Sequence, residues 1–161
     1  MDNSPKIQPD HPLSLLVPAG MDQFGEIRGF GISSITFKVT IPQHDGIFII
    51  ENTFTEKGGP ARRLHDNQDE WFYAVTGEFI FEVGRDKYRL QPGDSLLAPR
   101  LVPHAWLYTG GHGSRILIAF TPAGKMESFF REVTKTKAMP ANDPELWRAH
   151  DMELLGPPLT V

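Results

Sequence analysis

Apolar and polar positions alternate along much of the first 121 residues of the chain, the pattern of strands with one buried face. From Phe30 to Thr40, the residues Phe30, Ile32, Ile35, Phe37 and Val39 interleave with smaller or polar ones, with one slip near Ser33-Ser34. A long strand is expected there. Pro42 to Gly46 predict a turn, and the β-branched and aromatic run from Gly46 to Phe54 predicts a second strand antiparallel to the first. Gly58-Gly59-Pro60 breaks the chain. Beyond it, Glu70 to Val75, Glu78 to Val83, Lys87 to Leu90, Ser95 to Ala98, His104 to Tyr108 and Arg115 to Thr121 read as short strands between Gly and Pro turns. Leu13 to Val17, ended by Pro18, allows a first edge strand.

After Pro122 the period changes. Met126, Phe129, Phe130 and Val133 fall at helical offsets within Lys125 to Thr136, which predicts an amphipathic helix packed on the outside of the β-structure. Asp143-Pro144 has the cap-then-proline start of a second, short helix. Many short strands followed by a helical tail predict an all-β fold, a small barrel or jelly roll. The expected organisation is an extended arm over residues 1–12, where Pro5, Pro9 and Pro12 oppose a helix, a barrel over 13–122, and C-terminal helices and tail over 123–161.

At 161 residues the chain has the length of one domain, and its 15 glycines and 14 prolines are scattered as turn residues rather than gathered in a disordered tract. A net charge of −4 with no basic block excludes an electrostatic footprint for nucleic acid. Without cysteine there is no disulfide and no thiolate ligand, so a metal would be held by His, Asp or Glu. The lack of cysteine, of an apolar leader and of any run of membrane-spanning length makes a soluble, cytoplasmic protein with no membrane partner the expectation.

Two clusters carry candidate chemistry: Arg63-x-His65-x4-Glu70-x6-Gly77 and Gly93-x5-Pro99-x4-His104. Side-chain alternation puts Arg63 and His65 on one strand face, and Trp106 and Tyr108 on the face of His104. At these residues the chain resembles the cupin superfamily, specifically its small single-domain, quercetin-dioxygenase-like members. Anchored on Glu70-x6-Gly77, the family's first pattern, Gly-x5-His-x-His-x(3,4)-Glu-x6-Gly, puts Arg63 at its first histidine, His65 at its second and Glu70 at its glutamate. Gly93, Pro99 and His104 match the second pattern, with Leu101 and Tyr108 in place of its later glycine and asparagine. The resemblance spans about Phe30 to Thr121, and the ending Met152 to Leu159 is similar to tails of such members.

The resemblance implies a cupin double-stranded β-helix holding one divalent metal through three histidines and a glutamate, and commonly a homodimer. Carried over residue by residue, His65, Glu70 and His104 remain as ligands for Fe, Mn, Ni or Zn, and two readings stay open. In one, these three form a two-histidine, one-carboxylate set with open positions, Arg63 anchors an anionic substrate group, and the protein is a metal-dependent dioxygenase acting on a small aromatic or enolic substrate. In the other, Arg63 pairs with Glu70 inside the barrel, its fixed cation opposes the metal, and the cavity binds a small molecule without one. A sugar-type isomerase with a histidine base is a third. Phe72, Trp106 and Tyr108 are candidate substrate-binding walls or core residues. His11, His44, His112 and His150 read as loop or helix residues, and Asp66 to Asp69 as a solvated turn from which Gln68 approaches the site.

Overall fold

In the computed structural model, which describes residues 14–40, 46–110, 113–137 and 143–160, the alternating stretches pair into two antiparallel sheets. The strands are β1 (Arg28–Phe30), β2 (Ser33–Val39), β3 (Phe48–Phe54), β4 (Ala61–His65), β5 (Asp69–Thr76), β6 (Phe79–Val83), β7 (Asp86–Leu90), β8 (Ser95–Ala98), β9 (His104–Tyr108), β10 (Ser114–Thr121) and β11 (Met152–Pro158); the helices are α1 (Met126–Val133) and α2 (Pro144–Ala149). One sheet has the order β1-β2-β3-β10-β5-β8, the other β11-β4-β9-β6-β7. The result is a mostly-β jelly roll with short helices near the C-terminal end.

Most strands turn alternate residues inward. Ile35 and Phe37, Phe48, Ile50 and Phe54, Ile116, Ile118 and Phe120 come from one sheet, and Phe79, Phe81 and Trp106 from the other, all buried. Their rings interlock edge to face, with Phe72 and Phe81 centroids 4.7 Å apart and Phe54 and Trp106 5.4 Å apart. Burying each such ring stabilises the fold by roughly 1.5–3 kcal/mol, so this layer dominates the core. Gly59 lets the chain lie against it: a Cβ there would stand 1.9 Å from the backbone oxygen of Trp106, a contact no side chain tolerates.

Several expected elements change on folding. The long strand from Phe30 to Thr40 is instead a hairpin, β1 and β2, with Phe30 opposite Ser33; Gly31, at φ 62°, supplies the positive φ of its tight turn. The slip in the alternation near Ser33 is that turn. The second strand pairs antiparallel with β2 as expected. No strand forms over residues 14–17; Leu13, the 1–12 arm and positions 42–45 of the predicted turn lie outside the described residues. β5 and β6, consecutive in sequence, belong to opposite sheets, so Gly77, at φ 84°, turns the chain across the barrel rather than into a hairpin.

The C-terminal segment differs most. Met126, Phe129, Phe130 and Val133 form a buried face on α1, as the helical offsets predict, but it closes the cavity between the sheets instead of packing on the outside of the barrel. Phe130 meets Phe120 at 5.8 Å and Phe30 at 6.0 Å. Asp143 caps α2 by accepting a hydrogen bond from the Leu146 amide at 3.2 Å, ahead of Pro144. The chain then returns as β11 along β4. No helix among the described residues is long and apolar enough to cross a membrane.

Candidate metal centre

Arg63, His65, Glu70 and His104 meet because three strands turn them inward at one level of the barrel. Arg63 and His65 alternate inward on β4, with Arg63 directly opposite His104 of β9. Glu70 comes from β5 in the facing sheet, opposite Phe120. Its carboxylate spans the gap between the sheets. All four residues are buried, at 5%, 2%, 1% and 1% exposure.

The carboxylate divides its oxygens. Arg63 Nη2 donates to Glu70 Oε1 at 2.8 Å, while His65 Nε2 and His104 Nε2 lie 2.9 and 2.6 Å from Glu70 Oε2. The imidazoles stack, with centroids 5.7 Å apart and planes 13° from parallel. The ligand atoms of His65, Glu70 and His104 all lie within 4.8 Å of one another.

This donor set fits a divalent cation. His104 Nδ1 is 3.1 Å from the Val102 carbonyl oxygen, which can only accept, so the Nδ1 proton is engaged there. In a neutral ring Nε2 is then a lone pair facing a carboxylate oxygen at 2.6 Å. Two lone pairs at that distance require positive charge, either a proton or a metal ion that both address. The separations of 2.9 and 2.6 Å from Glu70 Oε2 are short enough for each imidazole to share one ion with that oxygen. A carbonyl orienting a histidine from its far nitrogen is also how metal-binding imidazoles are commonly held. His65 lacks such a support: its buried Nδ1 has no partner among the described residues, and stacking on His104 and Phe120 positions its ring.

Charge and burial disfavour a proton between the two groups. Burial pushes the Glu70 carboxyl up, but the Arg63 guanidinium, then the two imidazoles, together hold it well below the usual carboxylate range. Burial, then Arg63, pushes the His104 imidazole down by more than Glu70 raises it. The proton is thus disfavoured on both partners. Arg63 works in two directions, keeping Glu70 ionised for a metal while repelling that metal.

Both shifts have the same consequence for stability without metal. Below the ordinary histidine value of 6.5 the unfolded chain takes up a proton at position 104 that the folded chain resists, and below 4.5 the same holds at Glu70. In chelator, the urea midpoint is expected to hold above neutrality, fall as pH drops through 6.5, and fall again below 4.5. A midpoint independent of pH between 8 and 4 would contradict this arrangement.

The cavity in front of the cluster is lined by Arg63, His65, Glu70 and Trp106, and its remaining walls are mainly apolar. The centre of a water molecule has about 40 Å³ to move in, room for about three waters or a small ligand group. Trp106 therefore stands where the sequence suggests. Phe72 and Tyr108 do not line the cavity; both point inward but pack in the aromatic layer beside it, Phe72 against Phe81 and Tyr108 against Phe54 and Phe79. Gln68 is buried rather than solvated, and Asp69 binds the backbone and guanidinium of Arg100. Neither lines the cavity. His150 donates through Nδ1 to the Leu146 carbonyl oxygen and meets the Ser128 hydroxyl through Nε2, while His11, His44 and His112 lie outside the described residues. Asn52, Trp147 and the α1 face, not singled out by sequence, do line it. Only the α1 face carries a signal in the sequence, its apolar helical periodicity after Pro122.

Residues 53–120 match the cupin domain family. No curated protein sequence matches the chain. Among solved structures, KdgF from Halomonas sp. superposes with a TM-score of 0.51 at 23% identity, over 56% of this chain and 79% of its own. An RmlC-like cupin from Shewanella frigidimarina gives 0.52 at 23%, over 63% and 87%. The Streptomyces nucleoside dehydratase Pac13 gives 0.56 at 10%, over 83% and 87%. At these identities the likeness is one of fold.

Proposed function

We propose that the protein, whose residues 53–120 match the cupin domain family, is a metal-dependent oxidoreductase of the dioxygenase type, acting on a small aromatic or enolic substrate. One observation carries the reading: two imidazole nitrogens and an ionised carboxylate converge, buried, at the end of an apolar cavity. His65, Glu70 and His104 would hold the ion, whose identity among Fe, Mn, Ni and Zn their N and O donors leave open. When bound, such an ion supplies a site for dioxygen activation beside the substrate.

The chain's own residues do the rest. The Val102 carbonyl fixes the His104 ring, so its Nε2 lone pair faces the centre. Arg63 holds one oxygen of Glu70 and leaves the other to the ligand set. Aromatic walls exclude water, which strengthens each polar contact and shields a reactive substrate. The Arg63–Glu70 pair at 2.8 Å favours the second reading, a binding protein without metal.

Oxygen uptake over a panel of small β-diketones and enols, with the protein reconstituted in Fe(II), Mn(II), Ni(II) or Zn(II), separates the two. The dioxygenase reading expects uptake with at least one pair and its loss in His104→Ala. A ligand that binds with no uptake and no metal in any preparation would leave the binding protein standing.

A further inference from the structure

Beyond the cluster, three buried polar groups along the cavity have no partner among the described residues: the indole N–H groups of Trp106 and Trp147 and the side-chain oxygen of Asn52. The residues are 1%, 4% and 4% exposed. An indole nitrogen can only donate, and leaving such a donor unmade in an apolar site costs about 1–3 kcal/mol. Two of them in one small cavity mark positions for acceptor atoms. Trp106 stands two residues beyond His104 on the same face of β9, and Trp147 stands on α2, so the donors come from the barrel wall and from the helical closure.

Arg63 adds a charge. Its guanidinium carries five N–H groups, and among the described residues only a bond to Glu70 and a long one of 3.4 Å to the Ala61 carbonyl engage them. Glu70, the sole carboxylate among the described residues lining the cavity, is already paired. The polar supply is thus mostly donors and one fixed cation, among aromatic walls such as Phe54, Phe120 and Phe130.

From this juxtaposition we infer that the cavity takes a small, flat, unsaturated anion, a carboxylate or enolate, whose charge meets Arg63 and whose oxygens accept from the Trp106 and Trp147 indoles. The inference names the substrate class of the reading above and rests on it for the location of the substrate site. Asn52, whose amide can turn either face inward, accepts a hydroxyl or enol proton or donates to a further oxygen.

The test uses the full chain labelled with ¹⁵N, with benzoate as probe and benzamide as its uncharged analogue of the same shape. The protein has three tryptophans, and Trp71, outside the cavity and 37% exposed, serves as the internal control. Benzoate is expected to shift the Trp106 and Trp147 indole signals saturably and leave Trp71 in place, with benzamide at least about tenfold weaker. Trp147→Phe and Trp106→Phe, each removing one donor, should weaken benzoate by about tenfold without changing metal content. No shift at either indole, or benzamide binding as tightly as benzoate, overturns the inference. Metal analysis of the same samples keeps the two readings apart: benzoate bound without metal leaves this inference standing and defeats the metal-dependent one, and metal without benzoate does the reverse.

Discussion

Glu70→Ala is expected to destabilise the protein by about 3–5 kcal/mol, read from the urea midpoint in chelator, because it strands a buried guanidinium. Arg63 is 5% exposed, and its one short hydrogen bond among the described residues goes to Glu70. Without that carboxylate, the cation loses its counter-charge in a site water reaches poorly. The same substitution removes the single acid from the ligand set, so metal content should fall to background even where the fold survives. Arg63→Met/Glu70→Leu should then recover most of the lost stability and none of the metal, since a buried ion pair often does no better than apolar residues of similar volume. An alanine variant as stable as the parent would mean the pair is not closed to solvent.

Arg63→His is expected to raise divalent-metal affinity by two to three orders of magnitude. It replaces a fixed cation beside the centre with a third imidazole. At an effective dielectric of about 20, a unit charge pair ~4 Å apart interacts by about 4 kcal/mol, and a dication doubles the repulsion Arg63 imposes. Relief of even half of one such pair is worth more than a factor of ten. Competition against a chromophoric chelator measures the gain. An unchanged constant would place Arg63 outside the metal's electrostatic reach. The variant protein should also lose stability without metal, because Glu70 forfeits its permanent partner.

Much of the barrel is readable from the sequence because its strands are half-buried, and half-burial writes itself as alternation. Ser95–Ala98 and His104–Tyr108 have the bounds their flanking Gly and Pro turns predict. The alternation hides connectivity. Phe30 to Thr40 looks like one strand because a two-residue turn costs only one slip in the period. β11 is less legible: Gly156, Pro157 and Pro158 oppose a strand, and it forms at the sheet edge with irregular register against β4, where a missing donor is tolerated. Amphipathicity identified the buried face of α1 without saying what would cover it. Its partner is the open end of the barrel, set by tertiary packing.

The candidate site divides in the same way. Arg63, His65, Glu70 and His104 come together as their spacing implies, because period two turns Arg63 and His65 inward and the sheets bring Glu70 opposite. Period two also turns Phe72, Trp106 and Tyr108 inward, but it gives no depth along the barrel. Only Trp106 reaches the cavity, while the other two fill the layer beside it. Trp147 was beyond local reading, since its place depends on how α2 docks.

A divalent ion shared by His65, Glu70 and His104 in spite of Arg63 is the centre of the proposed chemistry. Crystals soaked in Mn(II) or Zn(II) and measured on both sides of the metal's absorption edge test it most directly. The prediction is a single anomalous peak within bonding distance of His65 Nε2, His104 Nε2 and a Glu70 oxygen. The absence of any peak there, with Arg63 still closed on Glu70, would contradict it.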